Sequence, residues 1–308
     1  MNRCAKLVLG TAQWGLAYGV TNAVGQPSVE TVSRMLDAAA RAGAGMLDTA
    51  RAYGEAERII GDSMTARDFA VVTKTDPNAL SDPNDAARGI AASLAALRRD
   101  RVHAILIHHG DRMLVDGGAQ WTALQHARHQ GLATRIGVSV YNPDALRRLL
   151  QRFEIEIVQF PASLYDRRFE RCGLLDELAR RGIEVHVRSV FLQGLILAPP
   201  ESLPAAFAGL SAHQKRFHAH LAACGLTPLE AALGHALSDE RISRVVVGAE
   251  CDTQLGQIFA AASRCTTALD PAGTVDFALE DERVILPYNW PANLRIVPPA
   301  PGKQGGLA

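Results

Sequence analysis

The sequence predicts a (β/α)8 barrel, a closed ring of parallel strands each followed by a helix, with residues 1–308 forming a single domain. Three observations carry that expectation. Eight short runs of aliphatic and β-branched residues recur along the chain: KLVLG, GMLDT, FAVVTK, HAILIHH, TRIGVSV, IEIVQF, IEVHVRS and RVVVGA. Between them lie segments with the spacing of amphipathic helices, most opened by a cap residue and several closed by glycine. The strands themselves are almost continuously apolar, as strands covered on both faces must be. The rival arrangement, an open doubly wound sheet, lacks its mark, because no GxGxxG follows the first strand.

Each element can be justified in order. KLVLG leads into a long loop, WGLAYGVTNAVGQPS, and then into SVETVSRMLDAAARAG. That helix places Val29, Val32, Leu36, Ala39 and Ala40 on one stripe, with Ser28 as N-cap and Gly43 as its stop. GMLDT ends on Asp48. The chain behind it opens a helix with Glu55 and Glu57 in the first turn, where negative charge suits the dipole. FAVVTK precedes DPNDAARGIAASLAALRRD, HAILIHH precedes GAQWTALQHARHQG, TRIGVSV precedes NPDALRRLLQRF, and IEIVQF precedes CGLLDELARRG. After IEVHVRS the alternation is interrupted by FLQGLILAPPESLPAAFAGLSAHQKRFHAHLAAC, an insertion with an extra helix near its end. TPLEAALGHALSD, RVVVGA and CDTQLGQIFAAASR complete the eight units. Residues 287–308, rich in proline and glycine, read as an irregular tail, surface-packed or frayed.

Composition narrows the function. Lysine plus arginine number 32, as do aspartate plus glutamate, so the net charge is zero. That removes the electrostatic case for nucleic acid or an anionic membrane as partner. The five cysteines (Cys4, Cys172, Cys224, Cys251, Cys265) are scattered without a CxxC pair. They read as free thiols of a reducing, cytoplasmic compartment. No apolar stretch approaches the roughly 18 residues of a membrane span, and the apolar run at the N-terminus is too short for a signal peptide. No metal site is expected.

In such a barrel the active site lies at the carboxyl ends of the strands. The polar residues that close the apolar runs are Asp48, Lys74, His108, Ser139, Gln159, Arg188 with Ser189, and Gly248. Any one of them alone suits a barrel rim. Together with Tyr53 they place a carboxylate, an ammonium, a phenol and an imidazole on three consecutive strand ends. A phenol with an ordinary pKa near ~10 is a poor acid at neutral pH, and an adjacent ammonium lowers it. Asp48 would hold Lys74 charged and oriented. A neutral histidine could donate a hydrogen bond to a carbonyl oxygen, which suits a site where a carbonyl is reduced.

LDTARAYG, VVTK, ILIHH, IGVS, RSVFLQG and VVVGAECDTQL, in that order and spacing, resemble the signature blocks of the aldo/keto reductases. The resemblance implies a (β/α)8 barrel and reversible NAD(P)H-dependent reduction of an aldehyde or ketone, with sugar-like compounds among the candidates. It makes Tyr53 the proton donor, tuned by Lys74 and Asp48, with His108 rather than His109 orienting the carbonyl. For the dinucleotide it implies Gly10 and Thr11 at the end of the first strand and Asp48 beside them. Ser139 and Gln159 would hold the carboxamide, and Arg188, Ser189, Phe191, Gln193 and Gly194 the middle. Gly248, Gln254 and Gln257 would stand at the adenosine end. Trp14, Tyr18, His108 and Tyr141 are the substrate-pocket candidates, with packing of the loop as the alternative for the three aromatics, and Arg51 is either a substrate contact or a solvated rim charge. His103 is expected to be structural.

There are departures from the family pattern. Val140 and Ser163 stand where asparagines are usual, and Arg188 stands where an aromatic stacks on the nicotinamide. The positions that grip a 2′-phosphate align with Gly248, Ala249 and Gln254, and Ile258 replaces an asparagine. The resemblance nonetheless places NADPH ahead of NADH. The partner is a small carbonyl compound, and the chain is a monomer or weak oligomer. The alternatives are a non-catalytic cofactor-binding relative and a barrel aldolase or isomerase using Lys74 as a Schiff base. The first has no need of the four polar residues; in the second, a lysine beside a carboxylate stays charged and is a poor nucleophile.

Overall fold

A computed structural model describes residues 3–22, 25–78, 83–116, 118–265, 276–291 and 294. Eight parallel strands close into a barrel in sequence order: β1 (Leu7–Gly10), β2 (Met46–Asp48), β3 (Ala70–Lys74), β4 (Val102–Ile107), β5 (Ala133–Ser139), β6 (Ile157–Pro161), β7 (Glu184–Arg188) and β8 (Arg244–Val247). β8 pairs with β1 to complete the ring. Alternate side chains of each strand face opposite ways. Leu47, Val71, Ile105, Val158, Val185 and Val245 face the surrounding helices in the main core. Val8, Met46, Val72, Ala104, Leu106 and Ile157 fill the barrel interior. The strands read as continuously apolar because both sets are buried.

The helices form where their caps predict. Val29–Ala42 is opened by Ser28, whose hydroxyl accepts from the Thr31 amide, and ends at Gly43 with φ 83°. Its buried stripe is Val32, Met35, Leu36 and Ala39; Val29 and Ala40 are exposed, so the stripe begins one turn later than expected. Asn142 caps Pro143–Leu150, and Thr227 with Glu230 forms a capping box on Pro228–Ser238. Among the described residues no helix is long and apolar enough to cross a membrane.

The insertion after β7 builds a second, smaller core. Three short 3-10 turns (Leu192–Gly194, Pro200–Ser202, Ala205–Leu210) lead into the helix Ser211–Ala223. Leu195, Ile196, Phe207 and Phe217 pack there with Phe277, Ile285 and Trp290 from the C-terminal segment. The described part of the expected irregular tail is therefore anchored. Pro287–Asn289 is a 3-10 turn, and the buried Trp290 donates to the Val284 carbonyl and packs edge-on against Phe207. The remainder of residues 287–308 lies outside the described residues.

Candidate active site

Strand register brings the polar residues together. Asp48 ends β2 opposite Gly10, Lys74 ends β3 opposite Leu106, and Ser139 ends β5 opposite Gln159. β6 continues two residues past Gln159, to Pro161, and Arg188 ends β7. Asp48, Lys74, Ser139 and Gln159 are buried. Lys74 Nζ donates to Asp48 Oδ1 at 2.5 Å and to the Thr49 carbonyl at 3.0 Å. The other oxygen, Asp48 Oδ2, accepts from Gln159 Nε2 at 2.6 Å. The Asp48 carboxylate is thus held from two sides, and among the described residues Gln159 Oε1 is left buried without a partner.

The Tyr53 loop is folded over this pair by two glycines set back to back. A Cβ on Gly15 would fall 1.7 Å from the Tyr53 carbonyl oxygen, and one on Gly54, at φ 53°, would fall 2.4 Å from the Gly15 carbonyl. Only residues lacking Cβ allow that approach. Tyr53 then lies with its ring centroid 5.3 Å from Lys74 Nζ and 5.9 Å from the His108 ring, edge to face. Among the described residues its phenol makes no hydrogen bond, so it opens into the cavity. Behind His108, the backbone amide donates to Thr75, whose hydroxyl is fixed on Gln120.

The electrostatics differ in one respect from the sequence expectation. Burial, and then the Asp48 charge, push the Tyr53 phenol pKa up, with Arg188 opposing. The nearby lysine does not leave the phenol acidic, because Asp48 neutralises it. Tyr53 is therefore a protonated phenol at neutral pH. Burial pulls the Lys74 pKa down, and the Asp48 carboxylate acts against that. His108 is lowered to about 3 by burial, then by Lys74, His109 and Arg188, so its ring is neutral. Tyr18 is raised to about 12, chiefly by burial.

A cavity of about 590 Å³ opens above these groups, within the range of small-molecule sites. Every residue assigned above to the dinucleotide lines it, as do Tyr53, Lys74, His108, Tyr18 and Tyr141. Trp14 does not: it is fully buried beneath the first loop, and packing rather than substrate contact is its place. Arg51 is half-exposed with Nη1 3.9 Å from Glu57. Glu57, expected as a helix-terminal surface charge, is instead buried and accepts from the Thr73 hydroxyl at 2.6 Å. His103 donates to Glu184 across the base of the barrel, the structural position expected of it.

Gln13 and Glu250 also line the cavity and escaped the sequence reading. Glu250 had a usable signal, standing three residues after the end of β8 at the mouth. Its amide donates to Gln254 Oε1 at 2.9 Å, and burial raises its carboxyl pKa.

The solved structures with this fold include the holo form of the aldo-keto reductase AKR11C1 from Bacillus halodurans. It is 20% identical with a TM-score of 0.73, over 90% of this chain and 95% of that one. The Pseudomonas aeruginosa protein PA4992 is 19% identical with a TM-score of 0.63, over 84% and 90%. Among curated proteins, the uncharacterized oxidoreductase YqkF of Bacillus subtilis is 27% identical over 181 residues, 54% of this chain and 58% of that protein. The family described as "Aldo/keto reductase family" matches residues 6–270. With that span covering most of the barrel, and the strand-end residues gathered around one cavity, the chain belongs to the aldo/keto reductase family.

Proposed function

We propose that the protein reversibly reduces an aldehyde or ketone with a nicotinamide dinucleotide. The observation that carries this reading is the meeting of Asp48, Lys74, Tyr53 and His108 at one end of the cavity. The residues present fit a dinucleotide. Gln159 Oε1 is a buried acceptor without a partner, and the Ser139 hydroxyl stands opposite it in register, a pair suited to a carboxamide. When bound, the dinucleotide supplies the hydride. Tyr53 gives its phenolic proton to the carbonyl oxygen, and Lys74 stabilises the phenolate as it forms. Asp48 keeps Lys74 protonated and in place. The neutral His108 ring offers a hydrogen bond that orients the carbonyl.

The Schiff-base alternative is disfavoured by the same geometry, because Lys74 is 1% exposed and fixed on a carboxylate at 2.5 Å. A non-catalytic relative would have no use for a phenol left open to the cavity. Tyr53→Phe should bind dinucleotide within about twofold of the native protein yet lose on the order of 10²-fold or more in turnover. A carbonyl panel followed at the nicotinamide absorbance measures this; a Tyr53→Phe variant that keeps its activity would exclude the proton-donor role.

Although the family resemblance places NADPH first, one observation favours NADH. Along the Gly248–Ile258 wall of the cavity the charged group is Glu250, with Gln254 and Gln257 beside it. A carboxylate accepts hydrogen bonds from ribose hydroxyls and repels a 2′-phosphate, and like charges at an interface cost several kcal/mol. Fluorescence titration should show NADH binding about tenfold or more tighter than NADPH, with Glu250→Lys reversing the order. Tighter binding of NADPH to the native protein would refute this preference.

A further inference from the structure

Arg188 is the charged group of the cavity that carbonyl reduction leaves without a task. It ends β7, is half-buried and lines the cavity beside the reacting groups. Its guanidinium carbon lies 4.1 Å over the ring of Tyr141, which is itself braced edge-on by Tyr288 at 4.9 Å. Among the described residues the guanidinium makes no hydrogen bond and no ion pair. A partly desolvated arginine without an acceptor is costly, and its five N–H groups form a fork shaped for an oxyanion.

The charges around it do not supply that oxyanion. Asp48 is already taken by Lys74 and Gln159. Glu250 is paired instead with Gln254, its amide donating to Oε1 at 2.9 Å and its Oε2 accepting from Nε2 at 3.4 Å, and among the described residues it makes no ion pair with Arg188. Lys74 and Asp48 cancel, so the catalytic end retains one positive charge. That charge reaches Tyr53 and His108, whose ionisation it influences. Stacked on Tyr141, Arg188 shares the cavity with Tyr53, Lys74 and His108, where a carbonyl substrate would sit.

Resting on the reductase reading above, we propose that Arg188 is an anion-recognition residue and that the carbonyl substrate carries an oxyanion, a carboxylate or a phosphate. Tyr141 holds the guanidinium plane from one side, and Tyr288 keeps Tyr141 from turning away. The rival use of the same group is as a platform under the nicotinamide, in which case its charge serves the dinucleotide and not the substrate.

Calorimetric titration separates these uses. The protein is saturated with oxidised dinucleotide, so that no turnover occurs. It is then titrated with 4-formylbenzoate, 4-formylphenyl phosphate and the neutral methyl 4-formylbenzoate. At least one of the two anions should bind about tenfold or more tighter than the ester, and the stronger of the two identifies the natural oxyanion. Arg188→Met should abolish the difference between the anions and the ester, and Arg188→Lys should keep part of it. Equal affinities for all three, including no measurable binding of any, overturn the inference. So does a preference that survives Arg188→Met, or a loss of dinucleotide affinity in that variant without a change in the anion-to-ester ratio. If the native protein binds neither NADH nor NADPH, the reductase reading fails, and the same titration of the free protein decides the anion site by itself. If dinucleotide binds but the three aldehydes do not differ, only the anion inference fails.

Discussion

The Asp48 side chain is 4% exposed, and both of its oxygens are met, one by an ammonium and one by an amide. Removing one partner of such a pair leaves the other charge buried and alone, at a cost of about 3–5 kcal/mol. Asp48→Asn should therefore lower the unfolding free energy measured in urea by about that much, and the loss should be much smaller in the Asp48→Asn, Lys74→Met double variant than the sum of the singles. A single variant within about 1 kcal/mol of native would show that the pair is not the anchor described. At this scale the sequence was informative wherever a residue's task depends on its strand. Asp48 and Lys74 could be placed by their strand ends alone, and His108 by its strand end together with the family resemblance. Trp14 and Glu57 could not, because their burial depends on how the first loop and the helix Ala56–Asp62 pack on the barrel.

Gln214 does comparable work for an element. It lies fully buried in the helix Ser211–Ala223, and its Nε2 donates to the carbonyls of Leu195, Ile196 and Ala198 at 3.1, 3.3 and 2.8 Å. Its Oε1 accepts from the Tyr165 hydroxyl at 2.6 Å. One amide thus ties the loop after β7, where Ser189, Leu192 and Gln193 have positive φ, to the helix behind it. Leucine has a similar volume but would leave the hydroxyl and the carbonyls unpaired, at about 1–3 kcal/mol for each buried group stranded. Gln214→Leu should lower the denaturation midpoint. It should also weaken dinucleotide binding without touching the cavity itself, since Leu197 and Ala198 form part of its wall. Unchanged dinucleotide affinity in a destabilised variant would confine Gln214 to stability. None of this was legible beforehand. The insertion showed a helix, but Tyr165, Leu195 and Gln214 are distant in sequence and meet only through the second core.

For the whole molecule, alternation of strand and helix was enough to specify the barrel, because eight parallel strands buried on both faces leave few other ways to close. What alternation does not reveal is the polar floor. At the end opposite the mouth, Glu184 forms an ion pair with Arg135, whose Nε lies 2.8 Å away, and accepts hydrogen bonds from His103 at 3.0 Å and His186 at 2.7 Å. Burial would raise its carboxyl pKa, but the hydrogen bonds from His103 and His186 hold it well below the usual range. A carboxyl depressed on folding contributes stability that is present above its unfolded pKa, 4.5, and is lost as the pH falls below it. Urea titrations at pH 7 and pH 3 should find Glu184→Gln less stable than native at pH 7, with the gap narrowing at pH 3. A gap independent of pH would assign the effect to packing.

The inner side of β7 carries no apolar residue at all: Glu184, His186 and Arg188 share that side, while Val185 and Val187 join the outer core. A shift of this strand by one residue would turn the valines inward and is excluded by hydrophobic burial. A shift by two keeps the valines outside but brings Gly182 to the floor in place of Glu184, which strips His103 and Arg135 of their carboxylate. The partners of Glu184 on β4 and β5 thus favour the native alignment over that alternative. Those contacts at the floor therefore determine, one strand length away, that an arginine and not a histidine reaches the mouth.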